Sequence, residues 1–364
     1  MEVTLLTSEF AKTLNVASRF VSTRSTLPIL SNIALKSEKS SVLVLSTDLE
    51  VSLAAKVGAK ISEEGEIALP SKAFSETIAN LGGEQVILKN EGEVVVIQSE
   101  GFKSQLNGIN TSEYPRIVDK VSESALSIPT KLLVPALNKV LFAASTDEAR
   151  PILTGVLFIF RKNELVLVAT DGFRLSQKKF DLESTLDDTQ IVVPKRILAE
   201  LPRLVTTPEV SFESLKEDNL VAFAIPNIVL TSRVLEGEFP NYERIMPKLT
   251  RCNVNVSKED LARAVKLSSI FARDNANTIK LTVKENELMI SGESQKNGTE
   301  ELNIPAKVEG EKVSVSFNFR FIEEFLGVVG GESVELKLND ATAPSVFSDP
   351  KDASFLHLIM PVRA

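Results

Sequence analysis

The sequence predicts an α+β fold made of three similar antiparallel-sheet domains with two helices each. The first observation is a repeat within the 364 residues: Pro28-Ile29-Leu30 returns as Pro151-Ile152-Leu153, and Thr47-Asp48 returns as Thr170-Asp171, both 123 residues later. The second observation is that a helical pattern and a strand-turn-strand pattern recur in each block. The third is that proline lies near each block boundary. Three similar blocks indicate pseudo-symmetry, so we expect function to lie in their arrangement and at their seams.

Each block opens with a predicted helix, because apolar residues recur at helical spacing after a good N-terminal capping residue. The capping residue is Thr7 or Ser8 in the first block, Thr130 in the central block and Ser257 in the third. Ser257 also resembles the first residue of a capping box. Pro135 lies within the first turns of the central helix, so we expect that helix to start late or to be kinked.

Strands and a second helix follow in each block. The segments 41–46, 164–169 and 287–291 are apolar and match one another, and each follows a short polar turn. These are strand-turn-strand signals. Each block therefore reads β-α-β-β-β twice over, and the second helices are predicted at about 71–81, 195–205 and 318–327.

Proline marks the boundaries between the blocks. Tyr114-Pro115-Arg116 ends the first block and Phe239-Pro240-Asn241-Tyr242 ends the second. We place linkers near 113–125 and 237–252, and neither has the composition of a long flexible tether. The predicted domains are residues 1–120, 125–246 and 252–364.

Composition excludes several classes of protein. The sequence lacks an apolar run long enough to span a membrane and a recognisable secretory signal, so we expect a cytoplasmic protein. Cys252 has no second cysteine with which to form an intrachain disulfide, and with His357 as the one histidine the usual zinc sites are excluded. We expect no metal and no cofactor. Tryptophan is absent and tyrosine occurs twice, which argues against a platform for stacking single-stranded bases.

The net charge of −8 is an average that hides an uneven distribution of charge along the chain. The predicted helices are net positive and the other segments are strongly negative. Lys72, Arg196 and Arg320 lie 124 residues apart at the same place in the second helix of each block. A basic residue near a helix start opposes the helix dipole, so local stability does not explain the recurrence. Contact with nucleic-acid phosphates is one interpretation, and a solvated helix face is the other.

Catalytic motifs are missing. The sequence has no Gly-rich phosphate loop, no Gly-x-Ser-x-Gly motif and too few histidines for most hydrolytic triads. His357 lies in an apolar stretch and is interpreted as structural. Asp48 and Asp171 follow matching strands, so an acidic carboxylate enzyme is one hypothesis. Their equivalence in the repeat favours instead a role in turning the chain in each block.

Four segments of the sequence are informative when taken together: 26–30 (TLPIL), 168–175 (VATDGFRL), 236–242 (EGEFPNY) and the tail 359–363 (IMPVR). They resemble segments of the bacterial replicative sliding clamps, the β subunits of DNA polymerase III. The resemblance implies the DNA clamp fold and a closed six-domain ring formed by a head-to-tail homodimer, with helices around a central hole. It also implies a non-catalytic processivity subunit of the DNA-directed DNA polymerase that encircles double-stranded DNA without sequence preference.

The resemblance further implies a cleft between the second and third domains that takes short peptide motifs from the replicative polymerase, the clamp loader and repair proteins. Phe173 stands where the family often has histidine. The matching positions are Leu153, Thr170, Gly172, Phe173, Arg174, Leu175, Pro240, Arg244, Ile245, Asn318, Phe321, Ser345, Val346, Met360, Pro361, Val362 and Arg363. For Leu153, Leu175, Ile245 and Val346, plain core packing is the alternative interpretation.

Two more sets of residues follow from the clamp hypothesis. The dimer seam is expected where Leu106 of one copy meets Ile270 and Phe271 of another. The residues expected to contact DNA are Arg24, Lys72, Lys139, Arg150, Lys195, Arg196, Arg203, Arg263, Lys266 and Arg320. A peptide-docking scaffold of the same fold that does not encircle DNA is the second hypothesis, and the carboxylate enzyme is the third.

Overall fold

The chain folds into two compact units. The structure is a computed structural model that describes residues 1–22, 27–247 and 249–362, with the backbone alone at 184–187. Unit 1 consists of Met1–Thr130 with Leu204–Val234, and unit 2 consists of Lys131–Arg203 with Leu235–Ala364.

Six α-helices occur in the described residues, two in each block of the repeat. All six lie where the sequence predicts a helix, and none is long and apolar enough to cross a membrane. They are α1 Thr7–Ala17, α2 Ser71–Ala79, α3 Thr130–Val140, α4 Lys195–Leu204, α5 Lys258–Ala272 and α6 Phe319–Val328.

Unit 1 is built on one antiparallel sheet. Its strands, numbered along the chain, run in the order β8-β7-β6-β1-β4-β14-β13-β12-β9, while β3 pairs with β4 and β2, and β5 pairs with β2. The strands are β1 Glu2–Leu6, β2 Asn32–Glu38, β3 Ser41–Thr47, β4 Val51–Glu63, β5 Glu66–Pro70, β6 Gln85–Glu91, β7 Val94–Ser99, β8 Phe102–Asn107, β9 Leu126–Pro129, β12 Glu209–Leu215, β13 Leu220–Ile225 and β14 Ile228–Arg233.

Unit 2 is built on a second antiparallel sheet. Its order is β10-β11-β22-β21-β20-β15-β18-β17-β16-β19. The strands are β10 Gly155–Thr170, β11 Arg174–Pro194, β15 Cys252–Ser257, β16 Thr278–Lys284, β17 Glu287–Ser294, β18 Gly298–Gly310, β19 Ser314–Asn318, β20 Ser333–Leu338, β21 Ser345–Ser348 and β22 Phe355–Ile359.

The element order confirms the α+β repeat. The first and third blocks read β-α-β-β-β twice over. In the central block, long strands β10 and β11 replace two pairs of shorter ones. The register of β10 shifts at Lys162, whose φ of 45° marks the predicted turn inside that strand.

Helices pack on these sheets through their apolar faces. In unit 1, Phe10 of α1 and Phe74 of α2 meet edge to face, with ring centroids 5.7 Å apart. In unit 2, Leu261 and Val265 of α5 join Phe325 of α6 in one buried cluster with apolar residues of the strands. Burying each such side chain contributes roughly 1.5–3 kcal/mol, so the sheets and helices are held together chiefly by this apolar contact.

Two local expectations about the helix starts are wrong. Neither Thr7 nor Ser8 caps α1, because the helix already begins at Thr7 and the capping position is Leu6, which makes no side-chain cap. Helix α3 likewise begins at Thr130, so Thr130 is its first residue and not the cap before it. Pro135 lies inside the helix, which excludes a late start, and the alternative of a kink stays a prediction. The capping interaction of Ser257 is confirmed, since its hydroxyl accepts a hydrogen bond from the N–H of Asp260 at 3.3 Å.

Candidate functional site

The loop between β10 and β11 carries several of the predicted cleft residues and is shaped by its own side chains. The Asp171 carboxylate accepts hydrogen bonds from the N–H groups of Phe173 at 2.9 Å and Arg174 at 3.0 Å. The Thr170 hydroxyl donates to the carbonyl of Arg174 at 2.6 Å and accepts from the N–H of Gly172 at 3.1 Å. Gly172 has a φ of 92°, a conformation that favours glycine. The turn leaves the Phe173 side chain 61% exposed.

Arg174, at the end of this turn, is the most heavily engaged side chain of the candidate site. Its guanidinium donates to Asp171 at 3.1 Å, to Glu324 and to the carbonyl of Phe142 at 2.7 Å. It lies over the rings of Phe321 and Phe142, 4.5 and 5.5 Å from their centroids. Burial lowers the pKa of Arg174, against the opposite effect of Asp171. Arg174 therefore joins the β10–β11 loop to α6.

A cavity of about 520 Å³ opens beside Arg174, within the size range of ordinary ligand pockets. We call it the Arg174 cavity. It brings together four residues predicted for the peptide cleft and three predicted for DNA. Its lining is Phe142, Ala144, Ser145, Thr146, Asp147, Arg150, Asp171, Phe173, Arg174, Lys195, Asn277, Asn318, Arg320, Phe321 and Glu324.

The N-terminal end of helix α6 forms part of the wall of the Arg174 cavity. Asn318 caps this helix, because its side-chain oxygen accepts a hydrogen bond from the N–H of Arg320 at 3.0 Å. The cap fixes where Arg320 and Phe321 leave the backbone. Asn318 therefore has a structural role as well as a place in the lining.

An apolar cluster in unit 2 contains two further predicted cleft residues. Leu175 and Val346 are buried there with Tyr242 and Leu358, and Met246 packs against them. The packing of Leu175 and Val346 therefore agrees with their alternative interpretation as core residues. Tyr242 and Met246 lie in the linker at 237–252, so part of that linker packs in this cluster.

The tail is attached to the β10–β11 loop by a backbone hydrogen bond. The N–H of Met360 donates to the carbonyl of Phe173 at 2.8 Å, and the N–H of Val362 donates to the carbonyl of Ser316 at 2.8 Å. Met360, Pro361 and Val362 are all half-buried. The segment after β22 is therefore held against the loop that presents Phe173.

The remaining cleft positions differ in exposure. Leu153 and Ser345 are buried, and the Ser345 hydroxyl accepts from the N–H of Asn339 at 3.4 Å. Pro240, Arg244 and Ile245 are exposed on the segment that supplies Tyr242 to the apolar cluster. Arg363 lies outside the described residues.

The basic residues that recur in the second helices share one structural position. Lys72, Arg196 and Arg320 are each the second residue of their helix, α2, α4 and α6, and each is exposed. The interval of 124 residues in the sequence therefore corresponds to equivalent places in the fold.

Most of the other residues that are predicted to contact DNA form ion pairs with carboxylates of the chain. Lys139 is half-buried and shares the Asp352 carboxylate with Lys178. Burial raises the pKa of Asp352, but hydrogen bonds from Lys139, Lys178 and Ser354 overcome this and hold it well below its usual range. Ion pairs also join Arg150 to Asp147, Arg203 to Glu200, Arg263 to Asp260 and Lys266 to Glu323. Arg24 lies outside the described residues.

The predicted seam residues lie on two different elements. Ile270, on α5, is 52% exposed, and its neighbour Phe271 is half-buried. Leu267 lies one turn earlier and is also exposed. Residues at this spacing share one helix face, so α5 presents an apolar stripe. Leu106 is half-buried on β8, the end strand of the unit 1 sheet.

Comparison with protein families identifies all three blocks. The family model for the N-terminal domain of the DNA polymerase III beta subunit matches residues 1–118 of this chain. The model for the central domain matches residues 127–241, and the model for the C-terminal domain matches residues 243–363. The chain belongs to the DNA polymerase III beta subunit family.

Relatives of this beta subunit match along the whole chain. The beta sliding clamp of Staphylococcus aureus is 29% identical over 374 residues, which cover 100% of this chain and 99% of the relative. The crystal structure of the DNA polymerase sliding clamp from Bacillus subtilis has a TM-score of 0.95 at 27% identity, covering 100% of this chain and 99% of that one. A Pseudomonas aeruginosa sliding clamp bound to griselimycin has a TM-score of 0.94 at 25% identity over all of both chains.

Reasoning from the beta-subunit sequence missed several residues of the site. Phe142 and Glu324 hold Arg174, and Tyr242 and Met246 complete the apolar cluster. Glu324 lies 150 residues from Arg174, and no spacing signal connects them. Leu267 could have been predicted from the sequence, because it lies three residues before Ile270 on a predicted helix.

Proposed function

We propose that this chain is a cytoplasmic, non-catalytic sliding clamp. Two copies form a closed ring around double-stranded DNA and keep the replicative polymerase on its template. The Arg174 cavity, the apolar cluster at Leu175 and Val346 and the tail together form the docking cleft for peptide motifs of the polymerase, the clamp loader and repair proteins. The predicted domains 1–120, 125–246 and 252–364 are the three modules contributed by each copy.

The observation that carries this proposal is a strand pairing that occurs twice within the chain. Residues 51–55 of β4 pair with β14, the last strand of the next block. Residues 174–178 of β11 pair in the same way with β22, the last strand of the third block. Each block is thus joined to the following one by the same antiparallel contact.

The third contact of this kind has no partner within the chain. Strand β18 is the equivalent of β4 and β11, and among the described residues its stretch 298–305 pairs with β17 alone. Strand β8 is the equivalent of β14 and β22, and in the same residues it pairs with β7 alone. A second copy offers each of these two free edges its complement, and twofold symmetry then pairs both of them and closes the assembly.

The charge distribution supports DNA as the molecule enclosed. Lys72, Arg196 and Arg320 recur at exposed, equivalent helix positions in a chain of net charge −8. Contacts from such residues to phosphates are independent of sequence and weaken with salt, which suits a protein that must slide.

The turn carboxylates support a non-catalytic role. Asp48 accepts from the N–H groups of Glu50 and Val51, as Asp171 does from Phe173 and Arg174. Both carboxylates therefore have a structural use in equivalent turns, which favours the clamp over the carboxylate enzyme.

Topology provides the test. The protein is loaded by a clamp loader onto nicked circular duplex DNA, the free protein is removed, and half of the DNA is linearised. We expect retention on the circle and loss from the linear form within minutes, because enclosure needs no strong contact. Equal retention on both forms would contradict enclosure, and peptide binding without any dependence on topology would favour the docking scaffold.

A further inference from the structure

The dipeptide Asn-Gly occurs twice in the sequence, at Asn107-Gly108 and at Asn297-Gly298. Asn107 is the last residue of β8 and Gly298 is the first residue of β18, so both pairs lie on the free edges of the proposed ring. Asparagine is a labile residue, and a following glycine makes it more so, because glycine has no side chain to hinder attack of its backbone nitrogen on the asparagine amide. The two pairs therefore differ in reactivity only through their surroundings.

The backbone nitrogen of Gly108 is held in place. Its N–H donates to the carbonyl of Glu93 at 2.6 Å, and the next residue, Ile109, exchanges backbone hydrogen bonds of 2.8 and 3.0 Å with Ala68. A β-carbon built on Gly108 would lie 2.7 Å from Cγ1 of Ile67, so the chain is also closely packed here. This nitrogen must lose a hydrogen bond before it can attack the preceding asparagine, which slows the reaction.

Asn297 and Gly298 have open surroundings. Both are exposed, and Asn297 ends a turn in which its own N–H is bound by the Ser294 hydroxyl at 3.1 Å. Gly298 forms the last pair of β18 with β17, next to this turn, where strands open most readily. Within the described residues, no atom outside Gly298 and its two neighbours lies within 4 Å of the place that a β-carbon there would take. The Asn297 side chain therefore has room to rotate onto the Gly298 nitrogen.

The reaction that this arrangement permits is deamidation. The Gly298 nitrogen loses its proton to hydroxide and attacks the side-chain amide carbon of Asn297. A new nitrogen–carbon bond forms, the carbon–nitrogen bond of the side-chain amide breaks, and ammonia leaves with a proton from water, which closes a cyclic succinimide. Water then adds to either ring carbonyl and opens the ring. The products are aspartate and isoaspartate, and in isoaspartate the main chain runs through the former side-chain carbon.

The repeat places Asn297 at the proposed seam. Val51, Arg174 and Asn297 are equivalent, because each donates its N–H to the turn side chain three residues earlier. Val51 pairs with Ser232, the fifth residue of β14. The fifth residue of β8, the equivalent strand, is Leu106. A second copy that makes the same contact therefore puts its Leu106 opposite Asn297.

We propose that Asn297 is a self-modification site, which deamidates in a chain that stays unpaired and thereby weakens the seam. This inference rests on the proposed ring. An aspartate at 297 puts a charge opposite the apolar side chain of Leu106, where it is costly to bury. An isoaspartate lengthens the main chain and displaces the stretch 298–305 from its register. A chain left outside a ring for long thus loses its capacity to form one.

Peptide mapping by mass spectrometry tests the reaction on the full chain. The protein is kept for days at mildly alkaline pH and digested, and each asparagine is scored for conversion to acid. We expect Asn297 to convert about tenfold faster than Asn107, the scale of the hydrogen bond that holds Gly108. Equal rates at the two asparagines, or no conversion of Asn297, would overturn the modification site.

A variant that separates the copies tests the restriction to unpaired chains. Ile270→Glu puts a charge on the exposed apolar face of α5 and should leave the chain single. We expect Asn297 to convert faster in this variant than in wild type, while conversion of Asn107 stays slow. Conversion of Asn297 at the same rate in single and paired chains would overturn the restriction.

Further variants test the effect on the seam by sedimentation. Asn297→Asp reproduces one product and should raise the dissociation constant of the dimer about tenfold. Asn297→Gln, whose longer side chain closes a ring far more slowly, should keep the dimer intact through the same incubation. Asn163→Asp adds the same charge at an exposed position of β10 and should leave the dimer as in wild type.

The outcomes separate this proposal from the ring on which it rests. Fresh wild type that sediments as a single chain would contradict the ring, whereas the mapping of Asn297 and Asn107 does not depend on it. A dimer as tight in Asn297→Asp and in converted wild type as in fresh wild type would overturn the effect on the seam and leave the ring intact.

Discussion

At the scale of single residues, Arg174 shows how one side chain can define a site. Its guanidinium has donors directed at Asp171, Glu324 and the carbonyl of Phe142, and its faces contact two aromatic rings. Only arginine combines a flat, permanently charged surface with several donors in a fixed fork. The walls of the Arg174 cavity therefore depend on this residue.

Replacing Arg174 should destabilise unit 2. In Arg174→Met the aliphatic part is kept, but Asp171 is left partly buried without its partner, at a cost of about 2 kcal/mol. We expect the thermal midpoint of unit 2 to fall by about 4–8 °C in calorimetry. Arg161→Gln, which breaks an exposed pair with Glu243, is the control and should change stability by about 0.5 kcal/mol or less. Equal shifts in both variants would contradict the structural role of Arg174.

His357 is the second residue whose surroundings should have a measurable effect on stability. It is fully buried, its Nδ1 lies 2.7 Å from the Ser176 hydroxyl, and its ring stacks on Phe325 with centroids 5.5 Å apart. Burial, with a smaller contribution from Arg174, lowers the pKa of His357 to about 3. The contacts agree with the structural role that its apolar neighbourhood predicts.

This lowered pKa predicts how stability depends on pH. Below about pH 6.5 the unfolded chain binds a proton at His357 that the folded chain does not, so the free energy of unfolding falls as the pH falls. The loss should reach about 2 kcal/mol by about pH 5. Because the chain has one histidine, urea unfolding between these pH values isolates its contribution. His357→Gln should flatten the dependence, and an unchanged slope would contradict the assignment.

At the scale of elements, one turn is repeated in all three blocks. Asp48, Asp171 and Ser294 each accept backbone N–H groups two and three residues further on, just before β4, β11 and β18. The sequence predicts this role for the two aspartates. The sequence did not reveal Ser294 as the third equivalent, because in that block a hydroxyl accepts the backbone hydrogen bonds that a carboxylate accepts in the other two blocks. The residues differ while the turn is kept.

The apolar stripe on α5 allows a test of the dimer. Ile270→Glu puts a charge into the proposed seam beside Leu267 and Phe271, and an unpaired buried carboxylate is costly. We expect the dissociation constant of the dimer to rise about a hundredfold, the effect of losing one interface hot spot.

Sedimentation at micromolar concentration measures this change. Wild type should have twice the chain mass of 39.8 kDa, and Ile270→Glu should sediment as a single chain. Leu249→Glu alters another exposed apolar residue, 85% exposed in the linker, and should leave the dimer intact. An intact dimer in Ile270→Glu would exclude α5 from the seam.

At the scale of the whole molecule, duplication explains how one contact can serve several junctions. The pairings of β4 with β14 and of β11 with β22 are two versions of one contact, and the free edges of β18 and β8 are what a third version would require. A chain with three blocks and two internal junctions is expected to use its ends for association. In such an assembly the recurring basic positions are the ones that we propose to contact the DNA phosphates.

The sequence by itself determined the three blocks, the positions of their helices, the strand order of the first and third blocks, and the equivalence of Lys72, Arg196 and Arg320, because these depend on periodicity along the chain. Its resemblance to a family also supplied the proposed docking residues, which stay a prediction. Only the tertiary structure decided that Glu324 and Phe142 hold Arg174, that Lys139 shares Asp352 with Lys178, and that Lys195 lines a cavity while Arg196 does not. Charge pairing and burial join residues that are distant in the chain, and no local spacing encodes such distances.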